Sequence, residues 1–246
     1  LDFYHEETPF EEMESNPQAY QAGIYEIHYE YLQPKEDFNG NIVLQISSSN
    51  PKFNYLWNAE YYQSVRILGK VNPAEGKVFV QGAYSPIYYI NRFIPYLMGT
   101  PVAYIDEKTY IQGYEADSLL YQVSSNGEVS YAFGKAGEDM NITYSSLNVL
   151  DIEEYYKGRK DLRAKYDYYA TLDYIPELEF LVRGYTKRSK NSDGLQIYRN
   201  DSLIVDQSVP KGFKFFGYKS PYIYGSNRKQ AEFEDRLVIY RLKIQP

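Results

Sequence analysis

Pairs of aromatic residues are the feature of this sequence whose types and spacing could do chemistry. The runs that stand out contain Trp57 with Tyr61-Tyr62, and then Tyr88-Tyr89. Adjacent residues of a strand point to opposite faces of a sheet, so each doublet offers one ring to the core and one to the outside. Exposed flat rings stack on sugars or grip extended peptides, because they give a large rigid contact area at low entropic cost. We therefore predict a ligand-binding surface at Trp57, Tyr61, Tyr62, Tyr88 and Tyr89, with packing between sheets as the alternative.

Carboxylate pairs could instead act on a polysaccharide, since a glycosidase places two acids roughly 5 to 10 Å apart. The candidate pairs are Asp106 with Asp117, and Asp173 with Glu177 or Glu179. Residues two apart in a strand share a face, so Glu177 and Glu179 could converge, although acids beside turns are usually solvated. These pairs keep a polysaccharide hydrolase or lyase as the alternative function.

Other chemistries lack their residues. The chain contains no cysteine, which excludes disulfides, cysteine-ligated zinc and thiol catalysis. His5 lies in an acidic segment and His28 lies between Glu26 and Glu30, where surface placement is expected. No Gly-x-Ser-x-Gly occurs, and residues 134–137 (Gly-Lys-Ala-Gly) are too short for a phosphate-binding loop. The sequence predicts no metal and no cofactor, and it favours a binding protein over an enzyme.

Composition limits the class of partner. The chain has 246 residues, a formal net charge of -7 and 43% hydrophobic residues. An acidic chain without a basic stripe is not expected to bind nucleic acid, whose phosphates it would repel. No stretch approaches the roughly 18 consecutive apolar residues of a membrane helix, so no transmembrane segment is predicted.

The organisation along the chain is an acidic lead-in followed by one domain. Residues 1–18 carry six Asp or Glu residues and no Lys or Arg, and they contain two prolines, which favours an extended tether. Residues 19–246 are predicted to form a single β-rich domain. The 30 tyrosines support this, because tyrosine prefers strands, where its ring packs on the pleated surface.

Alternation and turn residues predict many short antiparallel strands. In residues 24–32, Tyr25, Ile27, Tyr29 and Tyr31 share one face, which predicts a half-buried strand. Residues 38–41 (Phe-Asn-Gly-Asn) then form a turn before a second strand over residues 42–46. Further turn signals are Asn72-Pro73, Glu75-Gly76, Asn126-Gly127, Asp193-Gly194 and Asn200-Asp201. Regular punctuation of this kind is typical of a sandwich, barrel or propeller.

One hairpin can be predicted down to its register. Leu119, Tyr121 and Val123 share one face, and Val129, Tyr131 and Phe133 share the next. Cross-strand partners lie on the same side of a sheet, so a three-residue loop over residues 125–127 must pair Val123 with Val129 and Tyr121 with Tyr131. Gly127 is then expected to have positive φ.

A single helical segment is predicted, between Ser145 and Tyr156. Leu147, Leu150 and Glu154 have helical spacing, and Gly158 is expected to interrupt it. The charged residues 157–161 are predicted to form an exposed loop.

Two stretches carry a family resemblance. Residues 121–128 (Tyr-Gln-Val-Ser-Ser-Asn-Gly-Glu) and residues 133–137 (Phe-Gly-Lys-Ala-Gly) resemble the blade signature of six-bladed β-propellers among exported lipoproteins of Bacteroidetes. Residues 222–224 and 234–240 are similar to the last blade of those proteins. The resemblance, over about residues 100–246, implies an exported protein, periplasmic or on the cell surface, with a lipid anchor on a cysteine upstream of Leu1.

The predicted fold is all-β. Its architecture is an antiparallel β-propeller of five or six blades, one of which could be irregular, with a β-sandwich or two-sheet β-domain as the alternative. The predicted function is that of a cell-envelope binding or scaffold protein that holds a glycan or polypeptide on exposed aromatics.

Overall fold

The computed structural model describes residues 8–31, 33–54, 60–90, 94–147, 152–227 and 238–243. The α-helices in these ranges are short: α1 (Phe10–Ser15), α2 (Tyr61–Ser64) and α3 (Ile152–Lys165). Single turns of 3-10 helix occupy Ala22–Ile24, Tyr29–Tyr31, Pro86–Tyr88 and Pro176–Leu178. None of the described helices combines the length and the apolar character that crossing a bilayer requires.

Strands consecutive in the chain form four antiparallel sheets. The first sheet contains β1 (Tyr25–Ile27), β2 (Lys35–Glu36), β3 (Ile42–Ser48), β4 (Leu68–Asn72) and β5 (Lys77–Gln81), with β1 and β2 both paired to β3. The second sheet contains β6 (Val102–Tyr104), β7 (Thr109–Tyr114), β8 (Asp117–Ser124) and β9 (Val129–Phe133), in that spatial order.

The remaining two sheets follow the same plan. The third sheet contains β10 (Tyr168–Ile175), β11 (Phe180–Thr186), β12 (Ser192–Arg199) and β13 (Ser202–Pro210), in that order. The fourth sheet contains β14 (Phe213–Lys219), β15 (Tyr222–Asn227) and β16 (Ile239–Lys243).

Three apolar cores lie between successive sheets. The largest joins the first sheet, the second sheet and α3, and it includes Ile46, Tyr62, Tyr110 and Tyr155. A second core packs β7 and β8 against β10 to β12, and a third packs the third sheet against Phe213 and Ile223. The first strands of the later sheets also meet, because β10 contacts both β6 and β14. Each sheet therefore buries a face against the next one along the chain.

The predicted fold class is confirmed: the chain is all-β, with antiparallel sheets and few helices. Four sheets built from consecutive strands fit an antiparallel propeller, and they also fit the alternative of packed sheets. The described residues form four such sheets, fewer than the five or six blades expected. Most of residues 234–240, part of the stretch that resembles a last blade, lie outside the described residues.

The strand predicted over residues 24–32 is shorter than expected. Strand β1 ends at Ile27, and Tyr29–Tyr31 form a 3-10 turn. The turn leaves Tyr29 77% exposed and brings the Tyr31 hydroxyl to 3.0 Å from Arg163 Nη1. Arg163 is distant from Tyr31 in the sequence, so the alternation of residues 24–32 does not predict this contact.

The predicted helix is displaced. Helix α3 runs from Ile152 to Lys165, straight through Gly158 and the residues expected to form a loop. A Cβ at position 158 would lie 2.8 Å from Leu147 Cδ1. The absence of a side chain at Gly158 therefore permits the helix to pack closely against Leu147. A glycine that reads locally as a helix breaker is here a contact residue.

The hairpin between β8 and β9 is confirmed at its turn and altered beyond it. Val123 pairs with Val129 across the three-residue loop, and Gly127 has φ of 87°. The next pair is Gln122 with Tyr131, so Ser130 is an extra residue in β9 and forms a β-bulge. The Ser130 hydroxyl donates to the Gln122 carbonyl at 3.1 Å. The predicted pairing of Tyr121 with Tyr131 is therefore wrong, and Tyr131 lies on the opposite face.

Two further segments differ from the sequence interpretation. Within the predicted lead-in, residues Phe10–Ser15 form α1, whose Met13 is buried in the largest core. The predicted turn at Asp193-Gly194 lies inside β12, where a Cβ on Gly194 would overlap the ring of Tyr185. In both places tertiary packing outweighs the local signal.

Candidate functional site

Three of the predicted binding tyrosines lie in the largest core. Tyr61, Tyr62 and Tyr88 are each at most 2% exposed, and the rings of Tyr62 and Tyr88 stack with centroids 6.2 Å apart. Their hydroxyls are used internally, since that of Tyr62 contacts Met98 Sδ and that of Tyr88 donates to the Leu97 carbonyl. The structure thus brings the two tyrosine runs together as expected, but as core packing instead of an open surface.

The other two predicted residues differ. Tyr89 is half-buried and packs against the largest core, and Trp57 lies outside the described residues. Ligand binding by Tyr89 and Trp57 stays a prediction.

The predicted carboxylate pairs are separated. Asp106 is exposed in the turn between β6 and β7, whereas Asp117 is buried and accepts hydrogen bonds from Ser85 and Tyr121. Glu177 lies in a 3-10 turn and not in a strand. Asp173 and Glu179 line two different clefts.

The first of these clefts, which we call the polar cleft, has a volume of about 360 Å³ and brings three sheets together. It is lined by Lys35 and Asp37 near β2, Tyr104 of β6, and Asp173 and Tyr174 of β10. Lys35 forms an ion pair with Asp173. Burial raises the pKa of Asp173, and Lys35 opposes that change.

Asp37 is committed to holding the turn after β2. Its Oδ1 accepts from the backbone N–H groups of Asn39 and Asn41, both at 2.9 Å. Its Oδ2 lies 2.6 Å from Lys70 Nζ. Burial acts to raise the pKa of Asp37, but the hydrogen bonds from Lys70 and Asn41 outweigh it and the pKa is lowered. Asp37 is therefore an ionised structural group with little capacity left for a substrate.

The second cleft, which we call the aromatic cleft, lies between the second and third sheets and has a volume of about 310 Å³. Its walls carry four aromatic rings: Tyr131 and Phe133 of β9, Tyr174 of β10 and Tyr198 of β12. Phe133 meets Tyr131 at 6.0 Å and Tyr198 at 5.7 Å between ring centroids. Ring contacts therefore run from Tyr131 through Phe133 to Tyr198, and Tyr131 is 41% exposed whereas Tyr198 is 1% exposed.

The register of the strands explains why these rings face one another. Ile111, Gln122 and Tyr131 are cross-strand neighbours on the second sheet. Tyr174, Leu181 and Tyr198 are cross-strand neighbours on the third sheet. Cross-strand partners share a face. The bulge at Ser130 is what places Tyr131 on the face that looks toward the third sheet.

The rim of the aromatic cleft is polar and acidic. It contains Gln122, Glu179, Asn200 and Asp201, and none of the described residues that line the cleft is Lys or Arg. Asn200 and Asp201 both have positive φ, 46° and 63°, as the two-residue turn between β12 and β13 requires. The turn fixes the backbone at these two positions, and both residues line the cleft.

Hydrogen bonding ties this rim to the aromatic wall. The Tyr131 hydroxyl donates to Oδ2 of Asp201, which links the second sheet to the third. Burial and the Asp201 carboxylate together raise the pKa of Tyr131 to about 12. Burial, then Glu179 and Asp106, raise the pKa of Tyr174. The cleft therefore combines flat rings with a negative potential.

Sequence reasoning missed this site although its parts were visible. The sequence places Tyr131 and Phe133 on one face of a hairpin and Asn200-Asp201 in a turn, but it does not predict that they meet. The only available signal was the aromatic content of β9, because the bulge that turns these rings toward Tyr198 has no clear signature in the sequence.

Histidines and metal ligands contribute little to either cleft. His28 Nε2 is buried without a hydrogen-bond partner, and burial together with Arg159 lowers the pKa of His28 to about 4. His5 lies outside the described residues. In the described part of the chain, no three His, Asp or Glu side chains are grouped closely enough to hold a metal ion.

Comparison with solved structures shows a shared fold. A member of the DUF4221 family from Bacteroides vulgatus matches with a TM-score of 0.60 and 12% identity, over 87% of this chain and 64% of that one. A structure from a study of two prolyl endopeptidases gives a TM-score of 0.44, with 7% identity over 90% of this chain and 26% of that chain. Hydrazine synthase of Kuenenia stuttgartiensis gives 0.43, with 9% identity over 79% of this chain and 43% of that chain. The TM-scores of the prolyl endopeptidase and hydrazine synthase structures are too low to support a conclusion about this chain.

Searches of family models and of curated proteins found no match to this chain. The chain spans a little under two thirds of the length of the Bacteroides vulgatus protein. The TM-score of 0.60 indicates a common fold, and at 12% identity the roles of individual residues cannot be transferred to this chain. The chain therefore shares the fold of that DUF4221 family member.

Proposed function

We propose that this protein is a cell-envelope binding or scaffold protein that holds an extended ligand, a glycan or a polypeptide, in the aromatic cleft. The observation that carries the proposal is that Tyr131, Phe133, Tyr174 and Tyr198, from two sheets, line one cleft beside a polar rim. Ligand sites are typically concave and apolar with a few placed polar groups. The second and third sheets share a buried core that includes Tyr198, and this core provides a rigid support for such a site.

The alternative, a polysaccharide hydrolase or lyase, needs two available carboxyl groups in one cleft. Asp37 and Asp173 come from different sheets and line the polar cleft together. However, Asp37 is saturated by the turn after β2 and by Lys70, and Asp173 is paired with Lys35. This arrangement favours binding over hydrolysis.

Arrays of glycans and of peptides, probed with the labelled chain, test the proposal. Tyr131→Ala should weaken the binding of any hit about fivefold, since one exposed aromatic contact contributes on the order of 1 kcal/mol. Tyr29→Ala is the matched control, because Tyr29 is 77% exposed and lies outside the aromatic cleft. A parent-like affinity of Tyr131→Ala for every hit would refute the site, and cleavage of a bound glycan would support the hydrolase.

The proposed location in the cell envelope rests on the resemblance of residues 121–137 to exported lipoproteins of Bacteroidetes. Fractionation of the source cells, followed by immunodetection of the native protein, tests it. The protein is expected with the periplasmic or membrane fraction, and its recovery in the cytosol would contradict the proposal.

A further inference from the structure

One edge of the second sheet is open next to the aromatic cleft. In the described part of the chain, β9 pairs with β8 on one side and with no strand on the other. Val129 and Tyr131 on this strand are 58% and 41% exposed. An open edge presents backbone N–H and C=O groups to which an extended peptide can add as a further strand.

The geometry of such an added strand would place its side chains in the cleft. Neighbouring strands lie about 4.8 Å apart, and alternate residues share a face. On the cleft face, the bulge at Ser130 puts Tyr131 and Phe133 toward the third sheet. A strand paired beside β9 would therefore direct every second side chain between Tyr131 and the turn at Asn200-Asp201.

The charges of the cleft select among such side chains. Glu179 and Asp201 line it, both are exposed, and neither forms an ion pair with a described Lys or Arg. Asp201 accepts one hydrogen bond, from Tyr131. A cation over an aromatic face is stabilised by the ring, and a nearby carboxylate adds to this attraction.

We propose that the aromatic cleft takes a lysine or arginine side chain of an extended polypeptide that pairs with the free edge of β9. This inference rests on the proposed binding function and narrows its ligand from a glycan or polypeptide to a cationic polypeptide. A neutral glycan would use the rings but would leave Glu179 and Asp201 without a countercharge and the edge of β9 unpaired. The overall charge of -7 also favours a cationic partner.

Peptide pools give a direct test. Three pools of random hexapeptides, blocked at both ends, carry lysine, acetyl-lysine or glutamine at one fixed central position and exclude other charged residues. The full chain, immobilised on beads, should retain the lysine pool about tenfold more than either neutral pool at low salt. This preference should shrink at high salt, because ionic screening weakens it.

Variants of the cleft carboxylates test whether the preference for lysine arises in the aromatic cleft. The double variant Glu179→Gln with Asp201→Asn should lose the preference for lysine, whereas Asp161→Asn, an exposed carboxylate on α3, should keep it. Asparagine tolerates the left-handed backbone at position 201, so the turn is expected to survive. Should the double variant fail to fold, the comparison of lysine with acetyl-lysine still decides the question.

The outcomes separate this inference from the proposed function. Equal retention of the three pools, or a lysine preference unchanged in the folded double variant, overturns the cationic polypeptide. If neutral glycans bind in a manner that depends on Tyr131 while all pools fail, the inference is wrong and the binding function stands. If neither glycans nor peptides bind, both are wrong.

Discussion

Arg163 of α3 forms a two-point ion pair with Glu115, which follows β7. The Nη1 and Nη2 atoms lie 2.8 and 2.6 Å from the two carboxylate oxygens, and the Glu115 side chain is only 5% exposed. Arg163 also donates to the Tyr31 hydroxyl and the Tyr96 carbonyl. One guanidinium therefore joins α3, the segment after β1 and the second sheet.

Removing that guanidinium should be costly. We expect Arg163→Met to lower the free energy of unfolding by about 3 to 5 kcal/mol, because it leaves Glu115 buried without its countercharge. Adding Glu115→Gln to this variant should recover part of the loss. Urea unfolding followed by circular dichroism measures both effects. A loss below about 1 kcal/mol would show that the pair behaves like an exposed one.

Acid should weaken the fold through His28. Burial and Arg159 lower its pKa in the folded chain to about 4, against an unfolded value of about 6.5. Between these values the unfolded state binds the proton and the folded state does not, so the stability present above pH 6.5 declines as the pH falls toward 4. The contribution is on the order of 1 to 3 kcal/mol.

The control for this effect is the variant His28→Gln. Carboxylates also titrate in acid, so the informative quantity is the difference in unfolding free energy between the parent and the variant at each pH. This difference should change between pH 6.5 and pH 4. A constant difference would mean that His28 titrates in the folded chain as it does in the unfolded chain.

The turn at Gly127 should reject branched side chains. Its φ of 87° is left-handed, and a Cβ there would meet no other atom within 4 Å, so any cost comes from the backbone alone. Gly127→Val should lower the unfolding free energy by about 1 kcal/mol or more, whereas Gly127→Asn should cost less. Thermal unfolding of the two variants compares them, and equal stability would refute strain at this position.

The packing around Gly194 should not tolerate an added methyl group without a loss of stability. A Cβ at this position would lie 1.9 Å from Cζ of Tyr185, so Gly194→Ala should cost about 1 to 3 kcal/mol by overpacking. Gly217→Ala on β14 is the matched control, because nothing lies within 4 Å of its added carbon. Urea midpoints that shift equally in both variants would contradict the role of Tyr185.

The bulge at Ser130 should set the register of the aromatic cleft. Deleting Ser130 removes the extra residue and leaves Tyr131 opposite Gln122, so Tyr131 should stay on the face that looks toward the third sheet. The nuclear Overhauser contact between the rings of Phe133 and Tyr198 should therefore persist, as it should in Ser130→Gly, which keeps the residue count. Loss of the contact in the deletion variant alone would mean that closing the bulge shifts the register of β9.

The hairpin shows how far the sequence could lead. The loop of residues 125–127 and the pairing of Val123 with Val129 follow from alternation and from one glycine, which are local properties. The predicted pairing of Tyr121 with Tyr131 is wrong one step later, because Ser130 is an extra residue whose hydroxyl bonds to the Gln122 carbonyl. The same change of register places Tyr131 in the aromatic cleft, so the sequence pattern does not predict the candidate site.

Elsewhere, the predictions from sequence were wrong where contacts with distant residues determine the local structure. The strand expected through Tyr31 ends early because Arg163 binds the Tyr31 hydroxyl. Helix α3 continues through Gly158 because Leu147 packs against it, and Tyr61, Tyr62 and Tyr88 turn inward because their hydroxyls find partners inside the core. Propensity and alternation cannot carry such information, since tertiary contacts override both.

Building each sheet from strands that are consecutive in the chain has a consequence for how the protein is made. Every described strand pair of the second and third sheets joins neighbours in the sequence, so each of these two sheets can form as soon as its own residues are available. Contacts that are local in sequence close with little loss of chain entropy and form quickly. During synthesis, the second sheet can assemble before the third has left the ribosome, and the aromatic cleft is completed only when the turn at Asn200-Asp201 emerges.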